Sequence, residues 1–218
     1  MTLAIFDLDN TLLAGDSDHA WGEFLVDQGV VDGERYRRMN DEFHEAYLAG
    51  QLAIEDYLAF ALRPLAETPL ERLVSLRQQF MDAIIEPMIT MEAEELVDTH
   101  REKTHTLVIV TATNRFVTEP IAQRLGIDHL IATEPEFLNG GYTGKVSGTP
   151  SFREGKITRL QDWLSHRNDT LDNAWFYSDS HNDLPLLEQV PNPVAVNPDA
   201  ELERIAGSRE WPIIRLHE

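Results

Sequence analysis

The sequence predicts a doubly wound, Rossmann-like α/β fold: a parallel sheet with helices on both faces and a small α-helical cap inserted after the first strand. Two observations carry this expectation. Short apolar runs recur at Leu3–Phe6, Leu107–Val110, Ala174–Tyr177 and Val194–Val196, each flanked by segments of helical spacing; such runs mark parallel strands buried on both faces. Between about residues 17 and 100 no convincing strand pattern occurs, only helical ones.

Taken in chain order, Leu3–Phe6 places Asp7 at the carboxyl end of the first strand, and Ala14-Gly15-Asp16 breaks the chain soon afterwards. Helical spacing then runs over His19–Val26, Arg35–Ala49, Ile54–Leu62 and Leu70–Ile84, and Glu86-Pro87 precedes the return to the sheet. The α/β core is therefore expected to comprise residues 1–15 and 91–218, and the cap residues 16–90. After the strand beginning at Leu107, Thr118–Leu125 reads as a helix ending at Gly126. Asn139-Gly140-Gly141, inside Phe137–Val146, is a strong hairpin signal. Lys156–Trp163 resumes helical spacing, and the mixed tail Arg209–Glu218 suggests no function.

A chain of 218 residues can hold one sizeable core and a smaller accessory unit. Its 38 acidic against 18 basic residues give a net charge of −20, which repels nucleic acid and anionic membrane surfaces, so neither is an expected partner. With no cysteine there is no disulfide framework and no thiolate metal site. Apolar stretches fall far short of the roughly 20 residues that span a bilayer, and Asp7 and Asp9 interrupt any signal-peptide reading. A cytoplasmic location is expected. The sequence is silent on oligomeric state.

Chemistry concentrates where the predicted strands end. Asp7 and Asp9 leave the first strand two residues apart, at the edge where open α/β sheets bind ligands. One carboxylate can attack phosphorus while the other protonates the departing alkoxide and later activates water. The same Asp-x-Asp pattern also serves as a helix cap or a solvated turn. Ser178-Asp179-Ser180-His181-Asn182-Asp183 follows the third run and brings two more acids to that edge. Clustered carboxylates repel one another unless a hard cation sits among them, and oxygen donors suit Mg²⁺; here too, capping by Asp179 or Asn182 is the plain alternative. Thr111 after the second run could hold phosphoryl oxygens, and Lys156 could stabilise transition-state charge.

An acid pair, a hydroxyl, a lysine and a second acid pair thus follow one another along the chain. The strings FDLDNTL, VIVTATN, REGKITRL and YSDSHNDLPLL resemble the four motifs of the haloacid dehalogenase superfamily, and more narrowly of its phosphoserine-phosphatase-like branch. The resemblance implies that Asp7 becomes phosphorylated and that Asp9 is general acid and base. It implies that Mg²⁺ is held by Asp7, the Asp9 carbonyl and Asp179, with Asp183 acting on the metal's waters. It further implies that Thr111 and Lys156 bind the phosphoryl group, that Lys156 keeps Asp7 ionised, and that Asn182 orients the phosphate end. The cap would close over a small phosphorylated metabolite, exclude water and confer specificity. Where many members of the branch carry Gly-Asp-Gly, this chain has Ser178-Asp179-Ser180; the metal ligand is retained among bulkier neighbours. His181 could contact a phosphate or cap the helix that follows it, the cap being the favoured reading, and His19 reads as a packed or surface residue.

Residues 16–90 hold 15 acidic and 6 basic side chains, a balance of −9, which suits a cationic or zwitterionic leaving group. Asp16, Asp18 and Glu23 lie just beyond the first motif, where an acid could pair with an amine. Phosphoserine carries a carboxylate as well as an amine, whereas histidinol phosphate carries an amine and an imidazole. The acidic cap favours the second. The run Leu12–Trp21 also resembles bacterial members of the branch linked to histidinol phosphate. Phosphoserine phosphatase is the alternative reading. Receiver-type signalling domains use similar residues but are shorter and carry the phosphoacceptor on a later strand; a phosphotransferase would use the same nucleophile and is not separated from a phosphatase by sequence.

Overall fold

A computed structural model describes residues 2–217. Its centre is a six-stranded sheet, every neighbouring pair parallel, in the order β3-β2-β1-β6-β7-β8. The chain enters by β1 (Leu3–Phe6) and then runs through six helices: α1 (Ser17–Asp27), α2 (Gly33–Leu48), α3 (Ile54–Ala61), α4 (Arg63–Glu67), α5 (Leu70–Phe80) and α6 (Glu86–Met88). A π-helical turn, Met81–Ile85, joins the last two. It returns through α7 (Met91–Glu102) to β2 (Thr106–Asn114), α8 (Arg115–Arg124) and β3 (His129–Thr133). A two-stranded antiparallel hairpin follows, β4 (Pro135–Leu138) and β5 (Gly141–Val146). Then come α9 (Glu154–Arg167), β6 (Trp175–Ser178), a 3-10 turn at His181–Asp183, α10 (Leu184–Leu187), β7 (Asn192–Val196), α11 (Ala200–Ser208) and β8 (Ile213–Ile214).

The apolar runs explain the sheet. Alternate residues of a strand face opposite sides, and the two sides here are two separate cores. Ala4 and Phe6 join one cluster with Leu107 and Ile109, while Leu3 and Ile5 join the other with Val108 and Val110. All four β1 side chains are fully buried. A register slip of one residue would exchange the two faces entirely, so the register is strongly specified. The first cluster continues into the inserted helices through Trp21, Phe24, Leu62, Leu73 and Phe80. Trp21 of α1 lies 5.9 Å from Phe116 of α8, ring centroid to ring centroid, so the insertion packs against a helix of the sheet layer.

Local chemistry sets the helix ends. Asp16 caps α1 by accepting from the backbone N–H groups of Asp18 and His19, Thr90 caps α7 through Ala93, and Asn114 caps α8 through Val117. Pro120 inside α8 cannot donate to the carbonyl of Phe116; Arg77 of α5 donates to that carbonyl instead, at 2.9 Å. Asn139 and Gly140 turn the hairpin with φ of 52° and 86°, as a two-residue primed turn requires.

Several expectations need adjustment. β2 runs on to Asn114, so Thr111 stands inside the strand. β3, α4, α7, α11 and β8 carry no pattern strong enough to have been expected; β8 is two residues of the tail pairing with β7. The helix expected from Leu70 to Ile84 becomes a π-turn from Met81 onward.

Candidate active site

Both acid motifs leave the carboxyl ends of adjacent parallel strands, β1 and β6. Connections from β1 and β6 diverge to opposite halves of the sheet, so a crevice opens between them. Asp7 extends the ladder by one bond, its N–H donating to the Tyr177 carbonyl at 2.9 Å. The chain then turns sharply: Asn10 adopts φ 54°, a conformation Asn tolerates, and its N–H donates to the Gly15 carbonyl.

That turn aims Asp9 at the start of α1. One carboxylate oxygen of Asp9 accepts from the Ser17 N–H at 2.7 Å and from the Ser17 hydroxyl at 2.5 Å, and the other from the Thr113 hydroxyl at 2.8 Å. Burial and the charge of Asp16 raise the Asp9 carboxyl to about 6, opposed by the Ser17 and Thr113 bonds. An acid held near neutrality is suited to giving and taking protons.

The second motif is tied to the first by Thr11, whose hydroxyl accepts from the Asp179 N–H at 3.0 Å and lies 3.3 Å from Asp179 Oδ1. Lys156 enters from α9 and is almost wholly buried. Its ammonium donates to Asp7 Oδ1 and to the Asp183 carboxylate, both at 2.7 Å, and Asp183 also accepts from the Ser178 hydroxyl at 2.7 Å. Burial opposes the charge on Lys156, yet Asp183 and Asp7 keep it protonated well above the usual lysine range. Burial pushes Asp7 up to about 7 although Lys156 pulls it down. Asp179 is raised well above the carboxylate range, by burial first and by Asp7 and Asp183 next. Of these three buried carboxylates, Asp7 and Asp183 bond the ammonium and Asp179 does not.

Lys156 is positioned by a strained turn. Phe152–Gly155 closes through the Gly155 N–H and the Phe152 carbonyl at 2.8 Å, with Arg153 at φ 48°, ψ −120°. That is the first central position of a type II′ turn, normally glycine. Gly155 is forced by proximity, since a Cβ there would stand 2.1 Å from the Pro150 carbonyl oxygen. The Arg153 guanidinium donates to Asn182 Oδ1 at 2.9 and 3.1 Å and to the Gly50 carbonyl. Asn182 Nδ2 donates to the Tyr47 carbonyl at 3.1 Å and to the Ser180 hydroxyl at 3.2 Å. Arg153 and Asn182 therefore fasten the carboxyl end of α2 to the sheet edge, and the Asn182 amide is engaged at both ends. Ser180 caps the short 3-10 turn. His181 does not act as that cap; its Nδ1 lies 2.7 Å from Asp199 Oδ2, so it joins the turn to the start of α11.

A cavity opens over Asp7 and Asp9. Thr111, Ala112 and Thr113 of β2, Asp16, Asp18, His19, Asn40, Phe43, His44 and Tyr47 of the inserted helices, and Leu52, Ile54, Tyr57 and Phe152 complete its wall. Lys156, Asp179 and Asp183 are buried and do not line it. The Thr111 hydroxyl accepts from the Thr113 N–H at 3.2 Å. His19 is half-buried and pairs with Asp41 at 2.9 Å. Ser17, Thr113 and Arg153 were not anticipated from sequence. Arg153 lies in the lysine-bearing string itself, but neither its backbone conformation nor its reach to Gly50 leaves a sequence mark.

A family profile described as haloacid dehalogenase-like hydrolase matches residues 4–188. The chain belongs to that family. This hydrolase is 45% identical to a histidinol-phosphatase of Neisseria meningitidis over 98% of both chains. It is 31% identical to a phosphoserine phosphatase of Mycobacterium tuberculosis over 96% of this chain and 69% of that protein. A crystal structure of a protein of unknown function from Bordetella pertussis superposes with a TM-score of 0.94 at 44% identity, covering 99% of both chains. By family and relatives, the hydrolase is a phosphatase.

Proposed function

We propose that this phosphatase cleaves a small amine-bearing phosphate monoester, L-histidinol phosphate foremost, through a phosphoaspartyl intermediate on Asp7. The observation that carries the reading is the buried Asp7–Lys156 pair beneath a cavity walled by acids and aromatic rings. The 45% identity to a histidinol-phosphatase supports the substrate. Phosphoserine is the runner-up, supported by the relative at 31%.

The donor set fits Mg²⁺. Asp7, Asp179 and Asp183 are buried with one ammonium among them, and hard oxygen donors in negative excess suit a hard divalent cation. Asp7, the Asp9 carbonyl and Asp179 would hold the ion, with Asp183 steadying its waters. When bound, the ion would neutralise phosphate oxygens and let an anionic substrate approach an anionic site.

In the first step an Asp7 oxygen forms a bond to phosphorus as the bond to the leaving alkoxide breaks, and Asp9 gives that alkoxide its proton. In the second, Asp9 takes a proton from water, whose oxygen attacks phosphorus; inorganic phosphate leaves and Asp7 is restored. Lys156 and Thr111 would bind the phosphoryl oxygens, and Lys156 would keep Asp7 ionised. Asn182 is buried and does not line the cavity; through its bonds to Arg153 and Tyr47 it would hold the phosphate end in place by way of the turn that carries Lys156. Residues 16–90 would form the cap that closes the cavity and selects the leaving group.

Steady-state kinetics over histidinol phosphate, phosphoserine and sugar phosphates test the substrate. Histidinol phosphate should give the highest kcat/KM. A preference for sugar phosphates would reject the reading.

A further inference from the structure

Three acids follow the first motif, and their surroundings differ. Asp16 is occupied: Oδ1 accepts from the N–H groups of Asp18 and His19, both at 2.9 Å, and Oδ2 lies 3.1 Å from His44 Nδ1. Glu23 is outside the cavity wall, 2.6 Å from Arg37 Nε. Asp18 is different. It stands in the first turn of α1, on the wall of the same cavity as Asp7 and Asp9. Among the described residues its carboxylate has no salt-bridge partner; the Tyr57 and Thr113 hydroxyls are its polar neighbours, and the nearby charges, Asp16 and Asp9, are negative.

Among the described residues no arginine or lysine lines this cavity, and its two histidines are committed, His19 to Asp41 and His44 to Asp16. A half-buried carboxylate placed among carboxylates, with no arginine or lysine beside it and the nearby histidines already paired, is costly unless a cation arrives from outside. Burial, with Asp16 and Asp9 adding to it, accordingly lifts the Asp18 carboxyl to about 7. Phe43, Tyr47, Tyr57 and Phe152 supply the remaining wall, and aromatic faces attract cations and accept flat rings.

We propose that Asp18 is the specificity-determining residue that receives the cationic group of the substrate, and that the cavity selects phosphate monoesters bearing an amine but no carboxylate. This rests on the proposed phosphatase reading and deepens it. A substrate carboxylate would find on the wall only histidines already paired with acids, and would face Asp9, Asp16 and Asp18. The ammonium of a substrate whose phosphate reaches Asp7 would stand against Asp18, with the aromatic side chains beside it.

The test compares histidinol phosphate, its des-amino analogue and phosphoserine on the wild type and on Asp18→Asn. The substitution should lower the kcat/KM ratio of histidinol phosphate to its des-amino analogue roughly 10- to 100-fold, the scale of one charged partner lost from a desolvated pair. The loss should fall mainly in KM, Asp18→Glu should recover part of it, and selectivity against phosphoserine should narrow. A ratio unmoved by Asp18→Asn overturns the assignment. A measurement on the wild type guards against misfolding of the variant: histidinol should inhibit competitively and N-acetylhistidinol should not. Equal inhibition by both also overturns it. Failure of the underlying reading looks different, because wild-type protein would then turn over none of the three esters.

Discussion

Lys156 Nζ stands 2.7 Å from Asp7 Oδ1, and both side chains are buried. The contact joins residues 149 positions apart and, among the described residues, sets one ammonium against two carboxylates, Asp7 and Asp183. Removing one partner of a buried pair leaves the other uncompensated, at a cost of about 3–5 kcal/mol. Lys156→Met should therefore lower unfolding free energy by about that amount, read from urea titration, and abolish turnover. Asp7→Asn should also abolish turnover but stay folded, because Lys156 keeps Asp183.

Asp9 separates the two half-reactions. With p-nitrophenyl phosphate, whose leaving group needs no proton, Asp9→Asn should release about one equivalent of nitrophenol and then stall, since no base activates water. Rapid-quench measurement should find phosphate trapped on the protein. Continued turnover at the wild-type rate would remove Asp9 from the mechanism.

Chelation should silence the phosphatase, and Mg²⁺ should restore it. Asp179→Asn should raise the Mg²⁺ concentration needed for half-maximal activity by at least tenfold. Activity indifferent to chelator would leave the excess of buried carboxylates without a purpose.

Arg153 combines a backbone that favours glycine with a side chain that binds Asn182 and the Gly50 carbonyl. Arg153→Ala and Arg153→Gly lose the same guanidinium, so both should show reduced kcat/KM. Only glycine relieves the strain, and it should be the more stable of the two by about 1 kcal/mol or more, within the cost of such conformations. Thermal unfolding of the pair checks this.

His100 is buried beneath the sheet, its Nε2 2.7 Å from the Tyr177 hydroxyl and its Nδ1 2.8 Å from His105 Nδ1. Burial, with His105 and Lys103 adding to it, pushes it down to about 4 from an ordinary value near 6.5. The unfolded chain then binds the proton more readily than the folded one. This contribution to stability is whole above about pH 6.5 and is lost as pH falls toward 4. The buried carboxylates act in the opposite direction, so the comparison must be between variants. Between pH 7 and 5, wild-type protein should lose more unfolding free energy than His100→Gln.

The sequence by itself determined the parallel sheet, the helical run after β1 and the strand-end positions of Asp7, Asp9, Asp179 and Asp183, while Lys156 stood out only through a family resemblance. These follow from local rules: an apolar run buries on both faces, and the residue after it emerges at the sheet's carboxyl edge. Strands without such a run, as β3 and β8, were illegible because their pairing is decided by neighbours distant in the chain. Only the tertiary structure decided that Thr113, 104 residues from Asp9, would donate to it, and that Arg153 would reach Gly50. It also separated Asp18 from Asp16 and Glu23, which the sequence left equal. A carboxylate's work depends on which charges surround it, and that is fixed by packing across the chain rather than by spacing along it.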